Sequence, residues 1–125
     1  MLSATSLYRL RGVHPDLAKV VEKASGYVSF SIVVLEGVRT VERQRQLVAI
    51  GASRTMKSRH LTGYAVDLAA KVDGVIRWDW PLYWQIAAAM KEAAKKLGVA
   101  IVWGGDWKTF KDGPHFELDR KVYPT

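Results

Sequence analysis

Two of the chain's three histidines, His60 and His115, stand near carboxylates in glycine-punctuated segments. Asp67 follows His60 by seven residues, Glu117 follows His115 by two, and Asp112 precedes His115 by three. Alternate side chains of an extended strand share a face. Residues 65–69, read as a strand, then put Val66 and Leu68 on one face and Asp67 on the other, between the small Ala65 and Ala69. In 115–118, Phe116 and Leu118 share one face, and His115 and Glu117 the other. Each strand offers an apolar face to a core and a second face with metal-capable groups. A turn at Thr62-Gly63 would fold His60 back beside Asp67. Two imidazoles and one carboxylate suit Zn²⁺, which at catalytic sites keeps three protein ligands and one open position for water. Such an ion lowers the pKa of its water towards about 7. A general base must then take a proton and later deliver it to the leaving amine. Asp112 and Glu117 are the two candidates; Glu117, if not the base, would orient a ligand histidine. Singly, each residue has a plainer reading: a loop histidine, a cap near a turn, a half-exposed strand residue. Together their spacing weakens these plainer readings and sets a metal site beside them as a candidate.

The elements that must position these groups follow from apolar spacing. Leu17, Val20, Val21 and Ala24 predict a helix that begins near Pro15 and closes at Gly26. Alternation over 27–35 predicts a strand with one buried face. Thr40 caps a short helix running to Ile50, with Gly51 after it. Residues 51–63 read as a polar, basic loop. Asp73-Gly74 is a turn signal. Leu82, Ile86, Ala89, Met90, Ala93 and Leu97 stripe the clearest helix, with Pro81 in its first turn and Gly98 after its end. Residues 99–103 predict a strand, Gly104-Gly105 a turn, and 115–118 the last strand. There is no βαβ rhythm. The fold class is α+β: a small antiparallel sheet with helices packed on one side.

Composition narrows the function classes. A chain of 125 residues with 49% hydrophobic and 25% charged residues is one globular domain, neither disordered nor a coiled coil. The absence of cysteine removes disulfide scaffolds, thiolate zinc fingers, iron–sulfur sites and cysteine nucleophiles. No apolar run reaches the roughly 18 residues of a spanning helix, and residues 1–12 do not read as a secretory signal. The net charge is +7. Arg39, Arg43, Arg45, Arg54, Lys57 and Arg59 fall in one stretch with Glu42 as its only acid. A nucleic-acid reader concentrates charge on one element; here the excess flanks the candidate site. The charge leaves an anionic surface or an acidic substrate open, and no nucleic-acid partner is expected.

The residues Ser58-Arg59-His60-Leu61-Thr62-Gly63-Tyr64-Ala65-Val66-Asp67 resemble the SxHxxGxAxD motif of the zinc D,D-peptidase superfamily. That group includes D-alanyl-D-alanine carboxypeptidases, vancomycin-resistance dipeptidases and phage L-alanyl-D-glutamate endopeptidases. Asp112-Gly113-Pro114-His115-Phe116-Glu117 resembles its second motif. Gly37-Val38-Arg39-Thr40 resembles its arginine-bearing segment, and Trp103-Gly104-Gly105-Asp106-Trp107 its Trp-Gly-Gly stretch. The resemblance implies that His60, Asp67 and His115 bind one zinc ion and that Asp112 is the catalytic acid/base. It implies that Arg39 steadies the scissile carbonyl or a substrate carboxylate. Aspartate at the acid/base position matches the phage endolysin branch. The function it implies is cleavage of the L-alanyl-D-glutamate bond in the peptidoglycan stem peptide, for host lysis. The alternatives are a D-alanyl-D-alanine carboxypeptidase and a catalytically silent wall-binding module on the same fold. The endolysin reading expects a single catalytic domain over 1–125 without a separate wall-binding module. It also expects synthesis in the host cytoplasm without a signal peptide, release through a holin, action on the wall in the periplasm, and a monomer. Ser58 and Trp107 are candidates for substrate contact. Gln44 could reach the site, but its short helix reads as presenting it to solvent. Tyr64, Trp78, Trp80 and Trp84 read as packing residues, Trp103 as core, and His14 as structural.

Overall fold

Short apolar repeats and well-placed caps give four α-helices and five strands among the residues that a computed structural model describes, 2–53, 56, 58–109 and 111–124. Arg54 and Lys57, two of the basic residues noted above, lie outside the described residues. Helix α1 (Ala4–Arg9) starts at Ser3, whose hydroxyl accepts from the Ser6 amide. Six residues are too few to show helical periodicity, which hides α1 from sequence reading. Helix α2 (Pro15–Ala24) has proline in its first turn, and the His14 ring accepts from the Asp16 amide. That ring also meets Tyr64 and Tyr123 edge-on, each at 5.3 Å, so His14 is structural as expected. Helix α3 (Val41–Ala49) has the expected cap, Thr40 accepting from the Arg43 amide. The long helix α4 (Trp80–Leu97) ends at Gly98 in the left-handed conformation.

The strands are β1 (Ser31–Glu36), β2 (Ala65–Val72), β3 (Val75–Arg77), β4 (Ile101–Trp103) and β5 (His115–Leu118). They form one antiparallel sheet in the order β1-β2-β5-β4, with β3 paired to the far end of β2. Strand β1 begins at Ser31, later than alternation predicts. Its first partner is Lys71, and β2 soon turns back at Asp73-Gly74, so residues 27–30 have no strand to pair with. Val28 and Phe30 still pack against the core. Strand β3 was not expected; its three residues are all exposed and show no apolar face.

The inward residues of β2 and β5 are Val66, Leu68, Phe116 and Leu118, all fully buried. They share one core with Leu17, Val20 and Val21 of α2 and Ile86, Met90 and Ala93 of α4. Each large side chain buried there stabilises the fold by roughly 1.5–3 kcal/mol. This core sets the pleat, and the pleat sends Asp67 and His115 to the other face.

Candidate metal centre and active site

Strands β2 and β5 are neighbours, and their register places Asp67 directly opposite His115. Directly opposed residues lie about 4.5–5.5 Å apart, so the pairing alone brings these side chains together. His60 arrives from a 3₁₀ turn, Arg59–Thr62, whose first amides are capped by Ser58: its hydroxyl accepts from the His60 amide at 3.2 Å. Gly63 then reverses the chain with φ +78°, and a Cβ there would meet the Gly12 carbonyl at 2.4 Å. Only glycine fits this turn, which returns His60 beside Asp67 as the spacing predicts.

One donor atom from each of His60, Asp67 and His115 lies within 4.8 Å of the others. His60 Nε2 is 3.3 Å and His115 Nδ1 is 3.4 Å from Asp67 Oδ1. The outer nitrogens are committed elsewhere. His60 Nδ1 lies 3.0 Å from the Gly37 carbonyl, and His115 Nε2 lies 2.9 Å from Glu117 Oε1. With those nitrogens protonated, both inner nitrogens present lone pairs to one point. His60 Nε2 and Asp67 Oδ1 are buried, and neither completes a hydrogen bond. Buried polar atoms are rarely left so. Two nitrogens and one carboxylate oxygen that converge, two of the three atoms buried without a partner, fit a metal ion, and this buried group can bind one.

Electrostatics sharpen the point. Burial would raise the Asp67 pKa, but contacts with His115 and His60 and their charges hold its carboxyl well below the usual carboxylate range. Burial would lower His115, but its contacts with Asp67 and Glu117 push it up to about 9 in the metal-free protein. Asp112 behaves oppositely: burial and then the Asp67 charge raise its carboxyl. Burial acts against Glu117 ionisation, but the His115 contact, with the charges of His115, Arg120 and Arg59, keeps its carboxyl low.

The cluster opens into a cleft of about 410 Å³ lined by Arg39, Ser58, Trp107, Asp112 and Glu117, among others. Asp112 is brought there by the turn before β5; its carbonyl accepts from the His115 amide at 3.3 Å. Gly104 makes this approach possible, since a Cβ there would lie 2.4 Å from the Asp112 carbonyl oxygen and 3.1 Å from the His115 Cβ. The Trp107 ring tilts over His115 at 5.1 Å. Arg39 is clamped by Glu36 and by Gln44 Oε1 at 2.6 Å, and its Nη2 lies 3.8 Å from Asp67 Oδ2.

Every site residue expected from the sequence therefore lies at or directly behind this cleft, with one correction. Gln44 is fully buried rather than solvated, because α3 turns it inward to hold Arg39 and Ser53. Sequence reading also missed Glu36, the carboxylate that fixes Arg39, and the role of Arg59. Arg59 is 4% exposed, sits 3.5 Å from Glu117 Oε2 and donates to the Tyr123 carbonyl at 2.8 Å. An arginine inside a basic stretch gives no sign that it points inward. The tryptophans divide: Trp103 is core, as expected, whereas Trp78 and Trp84 are exposed instead of packed, and Trp80 is partly exposed while its ring still meets Tyr83 and Trp103.

The model of the phage L-alanyl-D-glutamate peptidase family matches residues 1–124. The chain is 34% identical over 119 residues to the L-alanyl-D-glutamate peptidase of Escherichia phage T5, covering 92% of this chain and 86% of that one. It is 34% identical over 124 residues to the peptidoglycan L-alanyl-D-glutamate endopeptidase CwlK of Bacillus subtilis, covering 85% and 73%. The crystal structure of the Serratia marcescens L-Ala D-Glu endopeptidase ChiX superposes with a TM-score of 0.95 at 49% identity, covering 99% of this chain and 93% of that one. A superposition that close places the sheet and the helices behind it in a shared α+β fold. With the fold, the motifs and the family model in agreement over nearly its whole length, this chain belongs to the phage L-alanyl-D-glutamate peptidases.

Proposed function

We propose that this protein is a zinc-dependent endolysin that hydrolyses the L-alanyl-D-glutamate bond of the peptidoglycan stem peptide. The observation that carries the reading is the convergence of His60 Nε2, Asp67 Oδ1 and His115 Nδ1 at the floor of a cleft that also holds Asp112 and Arg39. The three donors would hold zinc, which when bound supplies Lewis-acid polarisation of the carbonyl and a more acidic water. Asp112 takes the proton of the attacking water and hands it to the departing D-glutamate nitrogen. Burial and the neighbouring Asp67 raise its carboxyl pKa, which makes the carboxylate a stronger base for the first transfer while the acid can still release the proton in the second. Arg39, held rigid by Glu36 and Gln44, faces the centre and stabilises developing oxyanion charge without reorganising. Glu117 lies behind His115 and fixes which nitrogen faces inward, so Asp112 is the base and Glu117 the orienting group. Ser58 shapes the His60 turn, and Trp107 forms a wall of the cleft.

The chain acts as a single catalytic domain and as a monomer. No helix among the described residues is long and apolar enough to cross a membrane. Access to the wall from the cytoplasm is by holin-mediated release. Digestion of purified peptidoglycan with and without a chelator, followed by mass analysis, tests the reading. Chelator-sensitive release of peptides beginning with D-glutamate is the expected result. Release of free D-alanine would instead identify a carboxypeptidase, and an intact wall in both arms a binding module.

A further inference from the structure

Trp78 and Trp84 are 59% and 60% exposed, and Trp80 between them is 42% exposed. Indoles are large apolar groups with much to gain from burial, and contiguous exposed apolar surface marks interaction sites. The three occupy the entry to α4 and its first two turns. Trp80 and Trp84, four residues apart, share a helix face.

One end of this face reaches the turn that carries Asp112. A Cβ on Gly113 would touch the Trp80 ring at 3.5 Å, and Gly113 directly follows Asp112. Trp80 also meets Trp103 at 6.3 Å, and the Trp103 indole donates to the Gly113 carbonyl at 2.7 Å. The aromatic surface thus begins at the turn that carries Asp112 and extends along α4, with Trp84 about 6 Å farther on.

The chemistry of the wall says what lies there. L-alanine is joined through its amino group to the lactyl ether of a sugar, so the bond proposed above is one residue from the glycan. At about 3.3–3.6 Å per residue, the first saccharide ring falls within roughly 10 Å of the reacting carbonyl. Sugars stack their C–H faces on indoles and leave their hydroxyls in water. An anionic membrane would call for free cations beside the indoles, but Arg77 is paired with Asp79, and Lys91, farther along α4, with Asp106 at 2.8 Å. We propose that Trp78, Trp80 and Trp84 form a saccharide platform that holds the glycan strand while its stem peptide occupies the cleft. This rests on the peptidase reading above.

The test uses a Trp78→Ala/Trp84→Ala double variant, leaving Trp80 with its packing partners. Two substrates are compared, intact sacculi and a glycan-free stem peptide, and binding of soluble peptide-free glycan strands is measured by calorimetry. The expected result is a fall of about tenfold in the rate on sacculi and in affinity for the strands, with the free peptide cleaved as by the wild type. Trp78→Tyr/Trp84→Tyr, which keeps stackable rings, should retain most of the wall activity and serves if the alanine variant folds poorly. An equal fall on both substrates, no fall on sacculi, or unchanged strand binding overturns the platform. So does loss of binding to phosphatidylglycerol vesicles with wall cleavage intact, which would assign the indoles to a membrane. If the wild type cleaves neither substrate, the peptidase reading fails, and the strand titration still decides the platform.

Discussion

His115 divides its ring between two carboxylates, with Nδ1 3.4 Å from Asp67 and Nε2 2.9 Å from Glu117. Both contacts favour its protonated form in the metal-free protein, while a metal ion requires the inner nitrogen unprotonated. The two states should therefore respond oppositely to pH. His115 is raised from 6.5 to about 9, so its contribution to stability is complete below pH 6.5 and is lost as pH rises through about 9. Asp67 is lowered from 3.8, so its contribution is complete above that value and is lost as pH falls towards its depressed pKa. Thermal melts of chelated protein should peak between these limits and decline from pH 6.5 to 9; zinc-loaded protein should show no such decline. Replacement of Asp112, the proposed acid/base, separates binding from turnover. Asp112→Ala should keep zinc and lose about 10²–10⁴-fold in rate, whereas His60→Ala should lose both, as read by metal analysis beside the digestion assay. Glu117→Gln should weaken zinc binding by about 10–100-fold in competition with a chromophoric chelator. Full activity in Asp112→Ala together with inactivity in Glu117→Ala would reverse the two roles.

At the scale of elements, two glycines deliver the site. Gly63 combines φ +78° with a Cβ position 2.4 Å from the Gly12 carbonyl, so Gly63→Ala meets both backbone strain and a clash. It should cost more than ~1 kcal/mol in denaturant melts and displace His60, lowering zinc affinity as well. Gly104 has no such strain, but its added Cβ would press on Asp112 and His115 together. Gly104→Ala should therefore damage turnover more than it lowers the melting temperature. Helix α3 has a comparable role through Gln44, whose amide oxygen holds Arg39 at 2.6 Å. The helix itself was legible from Thr40 and Gly51. The inward turn of Gln44 was not, because α3 has a short, strongly polar sequence with no clear apolar stripe to show which face is buried.

On the scale of the whole molecule, the core and the site lie on opposite faces of β2 and β5, so each strand serves both. Leu68, fully buried on the inner face, neighbours Asp67 on the outer. Leu68→Ala should cost about 2–5 kcal/mol in denaturant unfolding and lower zinc affinity with it. Bound zinc should in turn raise the melting temperature, because a ligand that binds only the folded chain stabilises it by mass action.

The donors, the two strands that carry them and the turn between His60 and Asp67 were all present in local spacing, since alternation and glycine placement act over a few residues. The family motifs reinforced that reading across most of the chain. Tertiary structure alone decided that β2 and β5 are neighbours in the register that opposes Asp67 to His115. It also decided that Glu117 stands behind His115, that Arg59 and Gln44 turn inward, and that Trp78 and Trp84 remain outside. Those outcomes depend on which distant segments pack together. A strand's pleat fixes which face a residue takes, but only its neighbour determines what that residue meets.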